Sequence, residues 1–151
     1  MSPDDVLDFW FRELTSAEWY QKDDALDQLI SERFGELHAE ARQAELFGWR
    51  NNIEGRLAEI IVLDQFSRNI FRDRAEAFST DALALALAQE TIASNKTGKL
   101  DSSHRAFLYL PYMHSESRRI HKLAVGLFSE PGMENNLDFE NKHKAIIDRF
   151  G

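Results

Sequence analysis

The stretch Thr80-Asp81-Ala82-Leu83-Ala84-Leu85-Ala86-Leu87-Ala88 decides the fold class of this 151-residue chain. Its alternation of small and large apolar residues has the period of a β-strand. Alanine and leucine are strong helix formers, however, and the stretch lacks the valine and isoleucine typical of strands. We therefore predict a helix that is apolar on most sides, with neighbours on several faces, as at the centre of a bundle or a stacked array.

Elsewhere the apolar residues recur at spacings of three and four, and only 3 prolines and 7 glycines interrupt the chain. This pattern predicts an all-α fold of about seven helices packed as antiparallel pairs, in a single domain over residues 1–151. We expect a first helix after a cap at Ser2, a second from about Asp23 to Leu46 that Gly48 closes, and a third that starts near Asn51 or Asn52. After the Ala-Leu helix, we expect a fifth from Ser102 that kinks or stops at Pro111, a sixth from Ser115 or Ser117 to Phe128, and a last helix at the end of the chain.

The last predicted helix carries a face shared by Phe139, His143, Ile146, Ile147 and Phe150. Apolar residues on one face of an amphipathic helix usually point to the core. We therefore expect this face to be buried and His143 to be a hydrogen-bonded core histidine.

Composition excludes several classes of protein. The chain has 26 acidic and 18 basic residues, and its net charge of -8 argues against binding to nucleic acid or to an anionic membrane. It has no cysteine, which removes disulfides, thiolate ligands and cysteine nucleophiles. No apolar stretch is long enough to span a bilayer, so a cytoplasmic protein is expected. Phosphate-cradling and dinucleotide glycine motifs and zinc-ligand spacings do not occur, and we predict neither a cofactor nor a metal.

The run Leu63-Asp64-Gln65-Phe66-Ser67-Arg68-Asn69-Ile70-Phe71-Arg72 is the sharpest candidate site. Asp64 follows Leu57, Ile60 and Ile61 at helical spacing, which directs a carboxylate toward the core, where it must be paired. Arg68 is four residues later, the favoured position for an ion pair. In one interpretation Asp64 holds one arginine, while Arg72, Asn69 and Gln65 offer donors to a bound carboxylate or phosphate. In the other, these residues form only an internal ion-pair network.

Histidines form a second set of candidates. His114-Ser115-Glu116 follows the proline break and places an imidazole, a hydroxyl and a carboxylate at a helix entrance, which suits a general base. The alternative is that Ser115 caps the next helix while His114 fills the kink. We expect His38 to face solvent, and we expect Arg118, Arg119, His121 and Lys122 to form a small solvated basic patch.

These residues resemble a bacterial family of unknown function, domain-of-unknown-function family 924. The resemblance rests on Leu7-Asp8-Phe9-Trp10-Phe11, the Asp64-Gln65-Phe66-Ser67-Arg68-Asn69 run, Thr80 to Ala84, Phe107 to Pro111 with His114-Ser115-Glu116, and Ile146 to Gly151. It implies an all-helical, tetratricopeptide-like right-handed array and no established activity.

Two departures from the family pattern affect the site. Family members usually continue past the glycine that matches Gly151 into an aromatic-Pro-His-Arg-Asn segment, which implies that the site is incomplete here or that this chain is a fragment. At Ile120-His121-Lys122-Leu123 the family tends to carry acidic residues and glutamine.

Three functions are compatible with these observations. The first is a binding module whose polar pocket accepts an anionic small molecule or a peptide carboxylate, lined by Asp64, Gln65, Arg68, Asn69, Arg72, His114 and Glu116. The second is a metal-independent, hydrolase-like enzyme with His114 as base and Arg68 or Arg72 stabilising developing negative charge. The third is a scaffold that holds a partner protein on a concave helical surface.

Overall fold

The computed structural model describes residues 1–151 and contains helices and turns but no β-strand. The α-helices are α1 (Pro3–Asp8), α2 (Asp24–Arg42), α3 (Ile53–Ile61), α4 (Ser67–Ile70), α5 (Asp81–Ala93), α6 (Ser102–Met113), α7 (Arg118–Phe128) and α8 (Glu134–Phe150). A π-helical segment, Val62–Phe66, joins α3 to α4, so seven helices result when this run is counted once. The all-α prediction is confirmed, and the alternating Ala-Leu stretch is helical as α5.

Shorter helical segments complete the chain. A second π-helical segment, Phe9–Glu13, continues α1. Four 3₁₀ segments lie at Ser16–Trp19, Phe47–Asn51, Ala75–Phe78 and Thr97–Lys99. None of the helices is both long enough and apolar enough to cross a membrane.

The chain divides into two compact units, Met1–Thr80 and Asp81–Gly151. In the first unit three phenyl rings bring three helical segments together. The ring centroids of Phe9 and Phe34 are 5.0 Å apart, those of Phe34 and Phe66 4.8 Å, and those of Phe9 and Phe66 6.1 Å. The segment at the end of α1, helix α2 and the π-helical segment Val62–Phe66 therefore share one aromatic core.

The second unit is built from α5 to α8. Every residue of α6 from Ala106 to Met113 is buried, and the rings of Tyr109 and Phe128 meet edge to face at 6.1 Å. Proline removes one backbone donor from a helix. Pro111 nevertheless lies inside α6, and the expected break comes three residues later, where His114 forms the C-cap. The missing N–H of Pro111 therefore does not stop the helix at the proline.

Helix boundaries follow local capping chemistry. The Asn52 side chain accepts from the Gly55 amide at 2.8 Å and starts α3, and Ser117 accepts from the Ile120 amide and starts α7, as predicted. The prediction that α2 reaches Leu46 was wrong. It ends at Arg42, because Ala44 takes a left-handed backbone conformation with φ of 60° and turns the chain away.

Two glycines on helices of the first unit have opposite surroundings. A Cβ atom on Gly55 would lie 1.9 Å from the carbonyl oxygen of Trp49, whereas a Cβ atom on Gly35 would meet nothing within 4 Å. We expect Gly55→Ala to destabilise the protein by about 2 kcal/mol or more, because backbone must move. Gly35→Ala should stabilise it by ~1 kcal/mol through helix propensity. Chemical denaturation of both variants measures this, and equal effects would contradict the close approach at Gly55.

Candidate functional site

The predicted site lies on a deformed part of a helix. Asp64 and Gln65 belong to the π-helical segment Val62–Phe66, and both side chains are buried. A π-helical turn widens the backbone by one residue and occurs frequently at functional sites. Here it directs two successive polar side chains into the interior of the first unit.

Asp64 is neutralised as the sequence predicts. Nη1 of Arg68 donates to Oδ1 of Asp64 at 3.3 Å and to the Asp64 carbonyl at 2.9 Å. Oδ2 of the same carboxylate accepts from Nε2 of Gln65 at 2.9 Å. Both carboxylate oxygens therefore have a donor, as an interior carboxylate requires.

Arg68 connects this interior carboxylate to the surface. Its side chain is 23% exposed, while that of Asp64 is 1% exposed. The Arg68 guanidinium carbon lies 5.5 Å from the ring centroid of Phe78, which is itself 61% exposed. A cation–π contact of this kind further restricts the orientation of the guanidinium.

Arg72 and Asn69 donate hydrogen bonds to a different carboxylate, that of Asp27, which the sequence analysis did not identify. Nε and Nη2 of Arg72 donate to the two oxygens of Asp27 on α2, and Nδ2 of Asn69 donates to Oδ1 of Asp27 at 2.9 Å. The hydrogen bonds that Arg72 donates to Asp27 raise the pKa of Arg72 above its already high usual value. These contacts tie α4 and the residues after it to α2. Asp27 is 45 residues away in sequence, and no local pattern marks it as the partner.

Glu59 is a second fully buried carboxylate with an arginine partner. Glu59 on α3 is 1% exposed, and Nε and Nη2 of Arg50 donate to its two oxygens, each at 2.8 Å. Such two-pronged pairing suits the planar guanidinium fork. The pairs Arg68–Asp64, Arg72–Asp27 and Arg50–Glu59 thus form a set in the first unit. In each pair the arginine is more exposed than its carboxylate, which is 1% exposed in Asp64 and Glu59 and 13% exposed in Asp27.

The expectation that His38 faces solvent was wrong. His38 is 2% exposed, and its Nε2 lies 2.6 Å from Oγ of Ser67. The apolar stripe of α2 explains this position, because Phe34 is fully buried and His38 lies one turn further along the same face.

The hydrogen bonds around Ser67 indicate which ring nitrogen of His38 carries the proton. Oγ of Ser67 and Oγ1 of Thr80 both contact the Leu63 carbonyl, at 2.6 Å and 2.8 Å, and they lie 3.0 Å from each other. Two hydroxyl protons cannot serve these contacts and also reach His38. The cluster is best satisfied when Nε2 of neutral His38 carries a proton and donates it to Ser67. In this tautomer His38 donates a hydrogen bond to Ser67 and does not accept one from it.

His114 and Glu116 belong to the second unit, whereas the other five predicted site residues belong to the first. His114 is the half-buried C-cap of α6, and Glu116 is exposed. Oγ of Ser115 accepts from the Ser117 amide at 3.0 Å. The interpretation in which Ser115 caps α7 was therefore wrong: Ser117 is the cap, and Ser115 stabilises the turn before it.

His121 was expected in a solvated basic patch, and this was wrong. Its side chain and that of Glu140 on α8 are fully buried, with Nδ1 of His121 2.7 Å from Oε2 of Glu140. Nε2 of His121 donates to the Ser115 carbonyl at 2.6 Å. Burial raises the pKa of Glu140, and the contact with His121 partly offsets this effect. The pair holds the turn between α6 and α7 in place, and 19 residues separate its members in sequence.

The expectation that His143 is a core histidine on a buried face of α8 was also wrong. His143 is exposed, and its Nδ1 bonds the Phe139 carbonyl one turn earlier. On the same face Phe139, Ile146 and Phe150 are 52%, 57% and 75% exposed. The interior face of α8 is instead the one that carries Glu140, which is bound to His121 of α7.

The acidic and histidine side chains form no metal-binding group, and a further cavity in the first unit is lined mainly by acids. No group of three or more histidine, aspartate or glutamate side chains is arranged to hold a metal ion. A cavity of about 270 Å³ in the first unit is lined by Met1, Glu32, Arg33, Glu36, Leu37 and Glu40. Three glutamates make this cavity unsuitable for an anion, and none of the predicted site residues lines it.

Fold and site together define an all-helical protein whose first unit contains paired interior carboxylates. The chain belongs to the family described as bacterial protein of unknown function (DUF924), whose sequence model matches residues 6–151. It is similar to the solved structure of a protein of unknown function, ATU0120 from Agrobacterium tumefaciens. That similarity has a TM-score of 0.93 at 35% sequence identity and covers 99% of this chain and 84% of that chain. No curated protein matches this chain.

Burial makes His38 a source of acid sensitivity. Desolvation, assisted by the charge of Arg42, lowers the pKa of His38 from 6.5 to about 4. Between pH 6.5 and about pH 4, His38 is therefore protonated in the unfolded chain but neutral in the folded protein. We expect the stability due to neutral His38 to be complete above pH 6.5 and to fall by roughly 3 kcal/mol toward pH 4.

The variant His38→Gln tests this linkage, because its amide can still donate to Ser67 without titrating. Urea denaturation from pH 7 to pH 4 should show a smaller loss of unfolding free energy in the variant than in the wild type. Parallel pH profiles for the two proteins would mean that His38 is not held neutral.

Proposed function

We propose that this protein is a binding module that holds an anionic small molecule or a peptide carboxylate beside Arg68. One observation supports this proposal above the others. The guanidinium of Arg68 is bound to the buried carboxylate of Asp64 and lies next to the exposed ring of Phe78, and the Arg68 side chain is still 23% exposed.

Preorganisation is the physical basis of the proposal. An unrestrained arginine loses rotamer freedom when it binds a ligand, which weakens binding. Two bonds from Nη1 to Asp64 already restrict Arg68, and Gln65 in turn restricts Asp64. A planar guanidinium held in this way matches the geometry of a carboxylate or phosphate.

Phe78 suggests the chemistry of the rest of the ligand. Its ring is 61% exposed and is placed beside the guanidinium. A ligand that carries an aromatic or otherwise planar apolar group next to its carboxylate would use both side chains at once. Benzoate is the simplest probe with this composition.

The remaining predicted residues take supporting positions in this proposal. Asp64 and Gln65 orient Arg68. Asn69 and Arg72 are committed to Asp27 and stabilise the packing of α4 against α2. His114 and Glu116 belong to the second unit and are not part of the site proposed at Arg68.

A metal-independent enzyme with His114 as base and Arg68 or Arg72 as anion stabiliser is the alternative. Less supports it, because the polar atoms of the neighbouring Ser115 are engaged in the turn, its hydroxyl with the Ser117 amide and its carbonyl with His121. The third hypothesis, a scaffold that holds a partner protein on a concave helical surface, does not depend on the Arg68 site.

A titration with benzoate, followed by amide chemical shifts, tests the proposed site. We expect shifts to cluster around Arg68 and Phe78 in the wild type. Arg68→Lys keeps the charge that neutralises Asp64 but loses the planar fork, so its affinity should fall by about tenfold or more. Phe78→Ala should weaken binding by about fivefold through the lost ring contact.

Matched controls exist for both variants. Arg74 also lies over a phenyl ring, 5.5 Å from that of Phe71, and also pairs with an acid, Glu76, so Arg74→Lys should leave affinity unchanged. Phe47 is 69% exposed, and Phe47→Ala should likewise have no effect. Wild-type affinity in Arg68→Lys would rule out this site.

A further inference from the structure

The π-helical segment Val62–Phe66 places backbone carbonyls where water does not reach them. Gln65 is 7% exposed, and the other four residues of the segment are 0% exposed. A π-helical turn moves the backbone hydrogen bond from the fourth to the fifth residue, so one carbonyl loses the amide donor that an α-helix would provide. A buried carbonyl needs a donor. Side chains must therefore supply it here.

Three side-chain donors converge on two successive carbonyls of this segment. The Leu63 carbonyl accepts from Oγ of Ser67 at 2.6 Å and from Oγ1 of Thr80 at 2.8 Å. The next carbonyl, that of Asp64, accepts from Nη1 of Arg68 at 2.9 Å. Because Ser67 and Thr80 are 0% and 5% exposed, water does not replace their hydroxyls as donors.

Thr80 is the donor that comes from outside this helical run. Ser67 lies four residues after Leu63, a spacing at which a serine can bond a carbonyl within an ordinary α-helix. Thr80 lies 17 residues after Leu63, beyond the 3₁₀ segment Ala75–Phe78. Its bond forms only when the Leu63 carbonyl points toward it, and that direction depends on the hydrogen-bond register of the helix.

The same register determines where the Asp64 carboxylate points. One residue corresponds to about 100° of rotation about a helix axis. An α-helical turn in place of the π-helical one would therefore rotate Asp64 and Gln65 relative to the residues that follow them. With the π-helical turn, Oδ1 of Asp64 accepts from Arg68 at 3.3 Å and Oδ2 accepts from Gln65 at 2.9 Å. Both bonds of the carboxylate thus depend on the register.

We propose that Thr80 and Ser67 are positioning residues of the Arg68 site: their hydroxyls hold the Leu63 carbonyl and so keep Val62–Phe66 in the π-helical register that places Asp64 against Arg68. Neither hydroxyl contacts the ligand. They act through the backbone of the segment and through the Asp64 carboxylate, which orients the guanidinium. The consequence for ligand binding rests on the function proposed above, whereas the consequence for the register does not.

Thr80 is a cleaner position for a test than Ser67. Oγ of Ser67 also contacts Nε2 of His38 at 2.6 Å, so its removal would leave a buried histidine without a partner. The hydrogen bonds of Thr80 are with the Leu63 carbonyl and the Ser67 hydroxyl. A change at Thr80 therefore removes one donor from the Leu63 carbonyl and leaves the contact between His38 and Ser67 in place.

Thr80→Val removes the hydroxyl and keeps the shape of the side chain. We expect the backbone chemical shifts of residues 62–68 to change, and their amides to exchange with solvent about tenfold faster, because the π-helical turn loses a donor. The Nε–H resonance of Arg68 should shift as its guanidinium loses restraint, and affinity for benzoate should fall by about fivefold. Thr80→Ser keeps the hydroxyl and should return all four values close to those of the wild type.

Thr91 supplies a matched control. Its Oγ1 donates to the Leu87 carbonyl at 2.7 Å and its side chain is 1% exposed, but this bond lies within the α-helix α5. Thr91→Val also removes a buried hydroxyl from a carbonyl. It should leave the chemical shifts of residues 62–68, the Arg68 resonance and the benzoate affinity unchanged. The comparison separates loss of a buried hydroxyl from loss of the π-helical register.

Unchanged chemical shifts and exchange rates of residues 62–68 in Thr80→Val would overturn the proposal, and so would changes of equal size in Thr91→Val. A changed register with a wild-type Arg68 resonance would overturn the positioning role. If Thr80→Val does not fold, Ser67→Ala removes the other donor from the same carbonyl, and the same outcomes apply. A wild type that does not bind benzoate would contradict the proposed function alone, because the register and the Arg68 resonance are measured without ligand.

Discussion

The first unit depends on the neutralisation of carboxylates that have no access to water. Asp64 is completely buried, so its negative charge must be compensated by hydrogen-bond donors within the protein. Removing one member of a buried ion pair typically costs about 3–5 kcal/mol, because the other charge is left without compensation. Arg68 and Gln65 meet this requirement, and their positions follow from the π-helical segment that carries Asp64.

The same constraint operates at Glu59 and, less strictly, at Asp27, whose side chain is 13% exposed, with consequences for packing. Each of these carboxylates accepts two bonds from one arginine, and each arginine comes from a different part of the chain than its acid. Such pairs specify which elements lie together, because a shift in register would leave a charge buried and unpaired. At Arg68 the constraint also orients a guanidinium at the surface, which is why the proposed ligand site and the stability of the unit rest on one group.

In the second unit the buried pair of His121 and Glu140 connects two helices, as the arginine–carboxylate pairs connect elements of the first unit. Nε2 of His121 must carry a proton, since the Ser115 carbonyl only accepts, so the contact between Nδ1 and Glu140 involves one further shared proton. Oε1 of Glu140 has no partner, and burial raises the pKa of this carboxyl. Because this pair directs the polar face of α8 inward, the phenylalanine face turns outward. The exposure of Phe139, Ile146 and Phe150 is thus a consequence of how α8 is anchored to α7.

The sequence by itself determined the all-α class, most helix starts and the pair between Asp64 and Arg68. These features depend on neighbours within about one helical turn, where periodicity and capping chemistry act directly. Only the tertiary structure decided that Arg72 belongs to Asp27, that His38 and His121 are buried, and that the aromatic face of α8 is exposed. A helical pattern reveals that two faces differ, but which face is covered depends on segments far away in the chain, and the contacts that settle it join residues 19 to 45 positions apart.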